Sequence, residues 1–149
     1  HVLPALIRRF QEAKDHGAAS AHCWGSGSPL REFLHADDLG EACVFALKRW
    51  NPDHADAPTN AQGTALTFLN VGTGHDLTIR DLAEQVAAAV GFSGEIHWDS
   101  SKPDGTPKKQ LDVSRLSTMG WQARIPLNAG LPQALDDFQK QRQAGTLRT

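Results

Sequence analysis

The chain has 149 residues, a net charge of −2 and 21% charged residues. That length can bury a core within one domain, and the charge balance leaves no basic footprint for nucleic acid. No apolar run approaches the roughly 18 residues of a membrane span and no signal peptide is recognisable, so a soluble cytoplasmic protein is expected, with no membrane partner. Cys23 and Cys43 lie in apolar surroundings and read as small buried hydrophobes, not as a disulfide.

In chain order, Leu3 to His16 reads as a helix. Pro4 falls in its first turn, where a missing N–H costs nothing, and Gly17 supplies a left-handed end. Leu3, Leu6, Ile7 and Phe10 form an apolar stripe at helical spacing. Arg8 and Arg9 point about 100° apart, so only one of them can reach a common site. Ala21 to Trp24 and Leu30 to His35 read as short strands around the turn formers Gly25, Ser26, Gly27, Ser28 and Pro29. Such a hairpin brings the flat ring of Trp24 beside the planar cation of Arg31, a pairing suited to a ligand with a ring and a phosphate. The same stretch also reads as a surface hairpin with an exposed arginine.

Asp37 is expected to cap a helix from Asp38 to about Trp50, with Leu39, Cys43, Ala46 and Leu47 forming one apolar face that Val44 and Phe45 broaden. Capping accounts for both aspartates, so no metal site is assigned. Asn51 to Ala65 is a polar loop without a readable site. Leu66 to Val71 is nearly all apolar and reads as a strand buried on both faces. Gly72-Thr73-Gly74 then resembles a phosphate loop, but lacks the lysine or third glycine of one and reads as a tight turn. Thr78 and Asp81 form a capping-box pattern for a helix from Ile79 to Val90, with Leu82, Val86, Ala89 and Val90 inside and Gly91 at its end. Glu95 to Trp98 completes a β-α-β unit, predicting a parallel pairing.

Ser100 to Asp112 is an ordered irregular loop that carries Lys102, Lys108 and Lys109 around Asp104. Lysines supply point charges to a diphosphate and Asp104 can accept from sugar or ribose hydroxyls. Composition alone favours a solvated charged loop. Val113 to Met119 is a short helix, and Leu127 to about Gln143 a last amphipathic one, with a polar end from Gln139 expected to fray.

Three blocks carry a family resemblance: HVLPALIRRF (His1 to Phe10), WGSGSPLREFLHADD (Trp24 to Asp38), and Asn70 to Arg115 with NVGTG, TIRDLAEQV and SKPDGTPKKQLDVSR. Together they resemble the carboxy-terminal, substrate-binding part of the GDP-L-fucose synthase family, among the extended short-chain dehydrogenase/reductases of the NAD-dependent epimerase/dehydratase superfamily. The resemblance implies an α/β fold: residues 1–149 as a small mixed substrate-binding domain without the amino-terminal Rossmann domain.

It further implies an NADP-dependent enzyme that epimerises GDP-4-keto-6-deoxy-D-mannose at C3 and C5 and reduces C4 to give GDP-L-fucose, homodimeric when full length. His1 matches the family's histidine beside the nicotinamide, which serves as acid in epimerisation. Arg9, Trp24, Arg31, Asp104 and Lys109 match its GDP-sugar-binding positions. The sequence contains no Tyr, hence no Tyr-x-x-x-Lys, and no G-x-x-G-x-x-G. It therefore reads as the second half of a longer enzyme, inert alone, with NADP bound mainly elsewhere. The alternatives are the substrate domain of another nucleotide-sugar epimerase or dehydratase, or a non-catalytic protein-interaction domain.

Overall fold

The structure, a computed structural model, describes residues 1–147. The chain divides into two compact units: residues 1–31, 77–109 and 128 onward, and residues 32–76 and 110–127.

In the first unit, α1 (Val2–Asp15) packs against α3 (Ile79–Val90). The helical spacing of their apolar residues dictates the contact. Leu6, Ile7 and Phe10 of α1 and Leu82, Ala83, Val86, Ala87 and Val90 of α3 are all buried, the large side chains contributing roughly 1.5–3 kcal/mol each. Phe10 stacks on Phe92 with ring centroids 5.5 Å apart. The predicted cap of α3 is present, with Thr78 Oγ1 accepting from Asp81 N–H at 3.0 Å. Gly91 ends the helix at φ 76°.

Strand β1 (Ser20–Trp24) pairs in parallel with β4 (Glu95–Asp99), from Ser20 opposite Glu95 to Trp24 opposite Asp99. Its period of two buries Ala21 and Cys23 and turns His22 and Trp24 outward. Strand β2 (Leu30–Glu32) belongs to a different sheet, of order β3-β2-β5, with β3 at Asp76–Thr78 and β5 at Lys108–Lys109. The expected hairpin is therefore overturned: β1 and β2 do not pair, because each finds a parallel partner far along the chain. The last helix, α5 (Leu127–Gln143), buries Leu131 and Leu135. It continues past Gln139, where fraying was expected; the end of that polar tail, residues 148–149, lies outside the described residues.

In the second unit, α2 (Ala36–Arg49) and α4 (Ser114–Thr118) supply Ala42 and Leu116 to a core completed by Trp121. Leu34, Phe45, Leu69, Val71 and Ala123 pack around them. The cap of α2 is His35, whose Nδ1 accepts from Asp37 N–H at 3.2 Å, and not Asp37 as the sequence suggested. The reading of Cys43 as buried is also corrected. Leu39 and Leu47 are 46% and 86% exposed and Cys43 is exposed, while Asp38 and Ala42 face the core. Leu66 to Val71 belongs to no strand of the two described sheets, and with Phe68 64% exposed the expected burial on both faces is overturned as well. The β-α-β unit built on that segment is overturned with it, although β4 does pair in parallel, with β1.

Asp38 is 2% exposed. Its Oδ2 accepts from the backbone N–H groups of Arg124 and Ile125 at 3.1 and 2.9 Å, fixing the loop after Trp121. Asp38→Ala orphans both donors and is expected to lower stability by about 3 kcal/mol in urea unfolding. Asp38→Asn keeps one acceptor oxygen and should lose roughly half as much. Equal stability of Asp38→Ala and wild type would contradict this account.

Candidate functional site

Trp24 is the last residue of β1, and its outward position leaves it 69% exposed. The Lys102 ammonium stands 5.9 Å from the centre of its ring. The chain then enters the turn Gly25 to Ser28. Gly25 and Gly27 adopt φ of 81° and 77°, and both also need the missing side chain for space. A Cβ on Gly25 would lie 2.3 Å from Asp104 Oδ1, and one on Gly27 2.9 Å from the Trp98 ring.

Asp104 closes on this turn. Its carboxylate accepts from Ser26 N–H at 2.6 Å and from Ser26 Oγ at 2.7 Å. The Ser26 hydroxyl and backbone bonds hold the Asp104 carboxyl below its ordinary range, so it is an anion at neutral pH with further lone pairs to offer. From the other direction, Leu30 N–H donates to Pro107 O at 2.8 Å. Strand β5 then places Lys109 opposite Arg31. Arg31 is half-buried and spends Nη1 on the carbonyl of Leu30 at 2.7 Å, which fixes its fork. The loop from Asp99 to Lys109 thus runs from the Trp24 ring, through the Asp104 bonds to the turn, to the register of Lys109 with Arg31.

Arg9 and His1 are not tied into those contacts. The Arg9 guanidinium donates to the carbonyl of His22, on the strand that ends in Trp24. Burial pushes the neighbouring Cys23 thiol up, opposed by the Arg9 charge. His1 sits at the amino end of α1, exposed, and makes no side-chain capping bond. It lines a groove of about 580 Å³ with Leu3, Pro4, Phe138 and Gln141, between α1 and α5. Among the described residues no group of three or more His, Cys, Asp or Glu is arranged to hold a metal, and no helix is long and apolar enough to cross a membrane.

The model of the NAD dependent epimerase/dehydratase family matches residues 1–60. GDP-L-fucose synthase 1 of Arabidopsis thaliana is 49% identical over 140 residues, which is 94% of this chain and 39% of that protein. GDP-L-fucose synthase of Escherichia coli (strain K12) is 49% identical over 138 residues, 93% of this chain and 42% of that one. This chain belongs to the GDP-L-fucose synthase family. It spans 39% and 42% of the length of these two curated relatives. Among solved structures, MlghC, a GDP-mannoheptose C4 reductase from Campylobacter jejuni with NADP bound, is similar at TM-score 0.77 and 30% identity, over 93% of this chain and 45% of that one. The small mixed α/β fold, expected as part of an extended short-chain dehydrogenase/reductase, is borne out by this likeness and by that to a Naegleria fowleri GDP-L-fucose synthetase bound to NADP (TM-score 0.77, 23% identity, 99% of this chain and 42% of that one).

On the GDP-L-fucose synthase frame, the three matching blocks are α1, the run from the end of β1 into α2, and the run from Asn70 through α3 into α4. Sequence reasoning missed three residues inside them. Arg80, Trp98 and Glu32 make their contacts across long stretches of chain: Arg80 Nη2 donates to Ser26 O at 2.6 Å and stacks at 4.8 Å on Trp98. Glu32 Oε1 and Oε2 accept from Gly74 and Leu111 N–H at 2.7 and 3.0 Å. No local spacing encodes such partners. The Gly72-Thr73-Gly74 turn does bind an anion, but that anion is the chain's own Glu32 carboxylate.

Proposed function

We propose that this chain provides the GDP-sugar-binding part of an NADP-dependent 3,5-epimerase/4-reductase that converts GDP-4-keto-6-deoxy-D-mannose to GDP-L-fucose. The observation that carries the proposal is the pairing of Arg31 with Lys109 across β2 and β5, with an exposed Trp24 at the end of β1 and an ionised Asp104 on the loop before β5. Two cations on neighbouring strands suit a diphosphate, the fork of Arg31 taking two oxygens and Lys109 adding a point charge. The Trp24 face suits a ring, and the spare acceptor capacity of Asp104 suits a hydroxyl. Arg9 completes the set beside β1, through which it is held.

His1 is assigned the role of acid in epimerisation, since imidazole gives and regains a proton near neutrality. NADPH, when bound, would supply the hydride for the reduction at C4 and leave as NADP+. A single exposed imidazole is not a dinucleotide site, so the described residues do not hold NADP by themselves, and the family's homodimer is proposed for the intact enzyme only. Cytoplasmic nucleotide-sugar metabolism is the setting that this reading implies.

Calorimetric titration tests the binding claim. GDP and GDP-mannose are expected to bind the chain more tightly than UDP and UDP-glucose; a uridine preference would move the assignment to another nucleotide-sugar epimerase. The chain alone is expected to leave NADPH unoxidised in the presence of the 4-keto sugar nucleotide, and measurable turnover would overturn the division of labour proposed here. The exposed Leu39, Val44 and Leu47 of α2 favour a second reading, a protein-interaction domain. Absence of any nucleotide binding would select it.

A further inference from the structure

Trp24 ends β1 and Arg31 is the middle residue of β2, strands of different sheets. No ladder of hydrogen bonds fixes their mutual position, so the geometry of the proposed GDP-sugar face depends on the Gly25 to Ser28 turn that joins them. A glycine-rich turn of this kind is intrinsically loose, because each glycine adds backbone freedom to be lost. Something outside the turn must restrain it.

Asp104 restrains one side of the Ser26 residue, through its N–H and its hydroxyl. The carbonyl of Ser26 is taken by Arg80 Nη2 at 2.6 Å. The next carbonyl, that of Gly27, accepts from Arg80 N–H at 2.9 Å, and Pro29 O accepts from Ile79 N–H at 3.0 Å. These two N–H groups open α3 and have no partner within the helix. The turn therefore satisfies the helix start while the helix start restrains the turn. The Arg80 guanidinium lies 4.8 Å from the centre of the Trp98 ring, the ring against which Gly27 packs so closely that no Cβ would fit.

We propose that Arg80 is a positioning residue for this face: by bonding Ser26 O while stacking on Trp98, it sets the spacing of Trp24 and Arg31. Arg80 acts through the turn and not on the ligand. Both tasks need one planar group with donors at its edge and a flat face, which arginine has and lysine lacks. The proposal rests on the GDP-sugar reading of the same face.

The test uses the full chain with Arg80→Lys and Arg80→Ala, following GDP affinity by calorimetry, Tm, and hydrogen exchange at the Ser26 and Ser28 amides. Arg80→Lys keeps the charge and is expected to weaken GDP binding about fivefold, with faster exchange at both amides and a Tm within a few degrees of wild type. Arg80→Ala is expected to weaken binding about tenfold, and millimolar guanidinium to restore part of it. GDP affinity in Arg80→Lys equal to wild type would overturn the proposal and leave the binding site standing, since charge alone would then suffice. Unchanged exchange at the turn amides overturns it equally. A wild-type chain that does not bind GDP removes the function given to Arg80 together with the parent reading, and the exchange data still report whether the turn is held. A fall in Tm that accounts for the whole loss of affinity in both variants assigns Arg80 to folding and overturns its positioning role.

Discussion

Glu32→Ala should lower stability by about 3 to 4 kcal/mol at neutral pH, read as an earlier urea midpoint with little change in slope. The backbone N–H groups of Thr73, Gly74 and Leu111 all donate to this one carboxylate, as does the Thr73 hydroxyl. Hydrogen bonds to a charged group contribute more than neutral ones, and donors left without a partner add their desolvation. Alanine leaves a cavity lined by donors. Gly72 has no room to relax into a larger residue either, since a Cβ there would lie 2.3 Å from Glu32 Oε1.

The pH dependence discriminates the charge from the shape. Desolvation by burial is the largest single influence on Glu32 and pushes its carboxyl up. The bonds from Leu111, Gly74 and Thr73 together outweigh it, so the net displacement is downward. A carboxyl with a lowered folded pKa contributes stability that is present above its unfolded value of about 4.3 and is lost as pH falls through the folded value. The gap between wild type and Glu32→Ala should therefore be constant from pH 7 to about 5 and narrow below about pH 4. Glu32→Gln keeps one acceptor but turns an amide N–H towards donors, so it should sit between the two at pH 7. A gap that stays flat to pH 3 would show that the carboxylate's charge is not what holds the turn.

Glu32 also marks where the sequence stopped being readable. The helices were legible because their apolar residues repeat at 3.6 and their ends carry local signals, as with Thr78, Asp81 and Gly91 around α3. The turn formers Gly25 to Pro29 likewise marked where β1 ends. What the sequence did not reveal were partners: β1 chooses β4 across more than seventy positions, so adjacency in sequence wrongly suggested a hairpin. The apolar stripe of α2 did not reveal which side of the helix is buried, because burial depends on what packs there, and the core takes Ala42 and the acidic Asp38. Of the proposed site, Trp24, Arg31, Asp104 and Lys109 could be named from the sequence because they stand in recognisable motifs. The contacts of Asp104 and Arg80 with Ser26 were not, because a side chain gripping a remote peptide group leaves no pattern in the text.

Arg31→Ala is expected to weaken GDP binding on the order of 50- to 100-fold. That corresponds to losing about 2.5 kcal/mol, the contribution of two charge-assisted hydrogen bonds to a diphosphate. The half-buried guanidinium has one nitrogen committed to Leu30 O, so the remaining donors are pre-oriented and lose little entropy on binding. Lysine at this position retains charge but neither the fork nor the bond to Leu30 O, and Arg31→Lys should bind about tenfold more weakly than wild type. Lys109 is exposed on the neighbouring strand, and solvent screens its charge, so Lys109→Ala should cost only about threefold. The series also predicts its own salt response: raising ionic strength should weaken wild type and Lys109→Ala more than Arg31→Ala, which has less charge–charge attraction left to screen. If Arg31→Lys binds as wild type does, the diphosphate is held by net charge and not by the planar fork. If Arg31→Ala also binds unchanged, the nucleotide does not sit on this face.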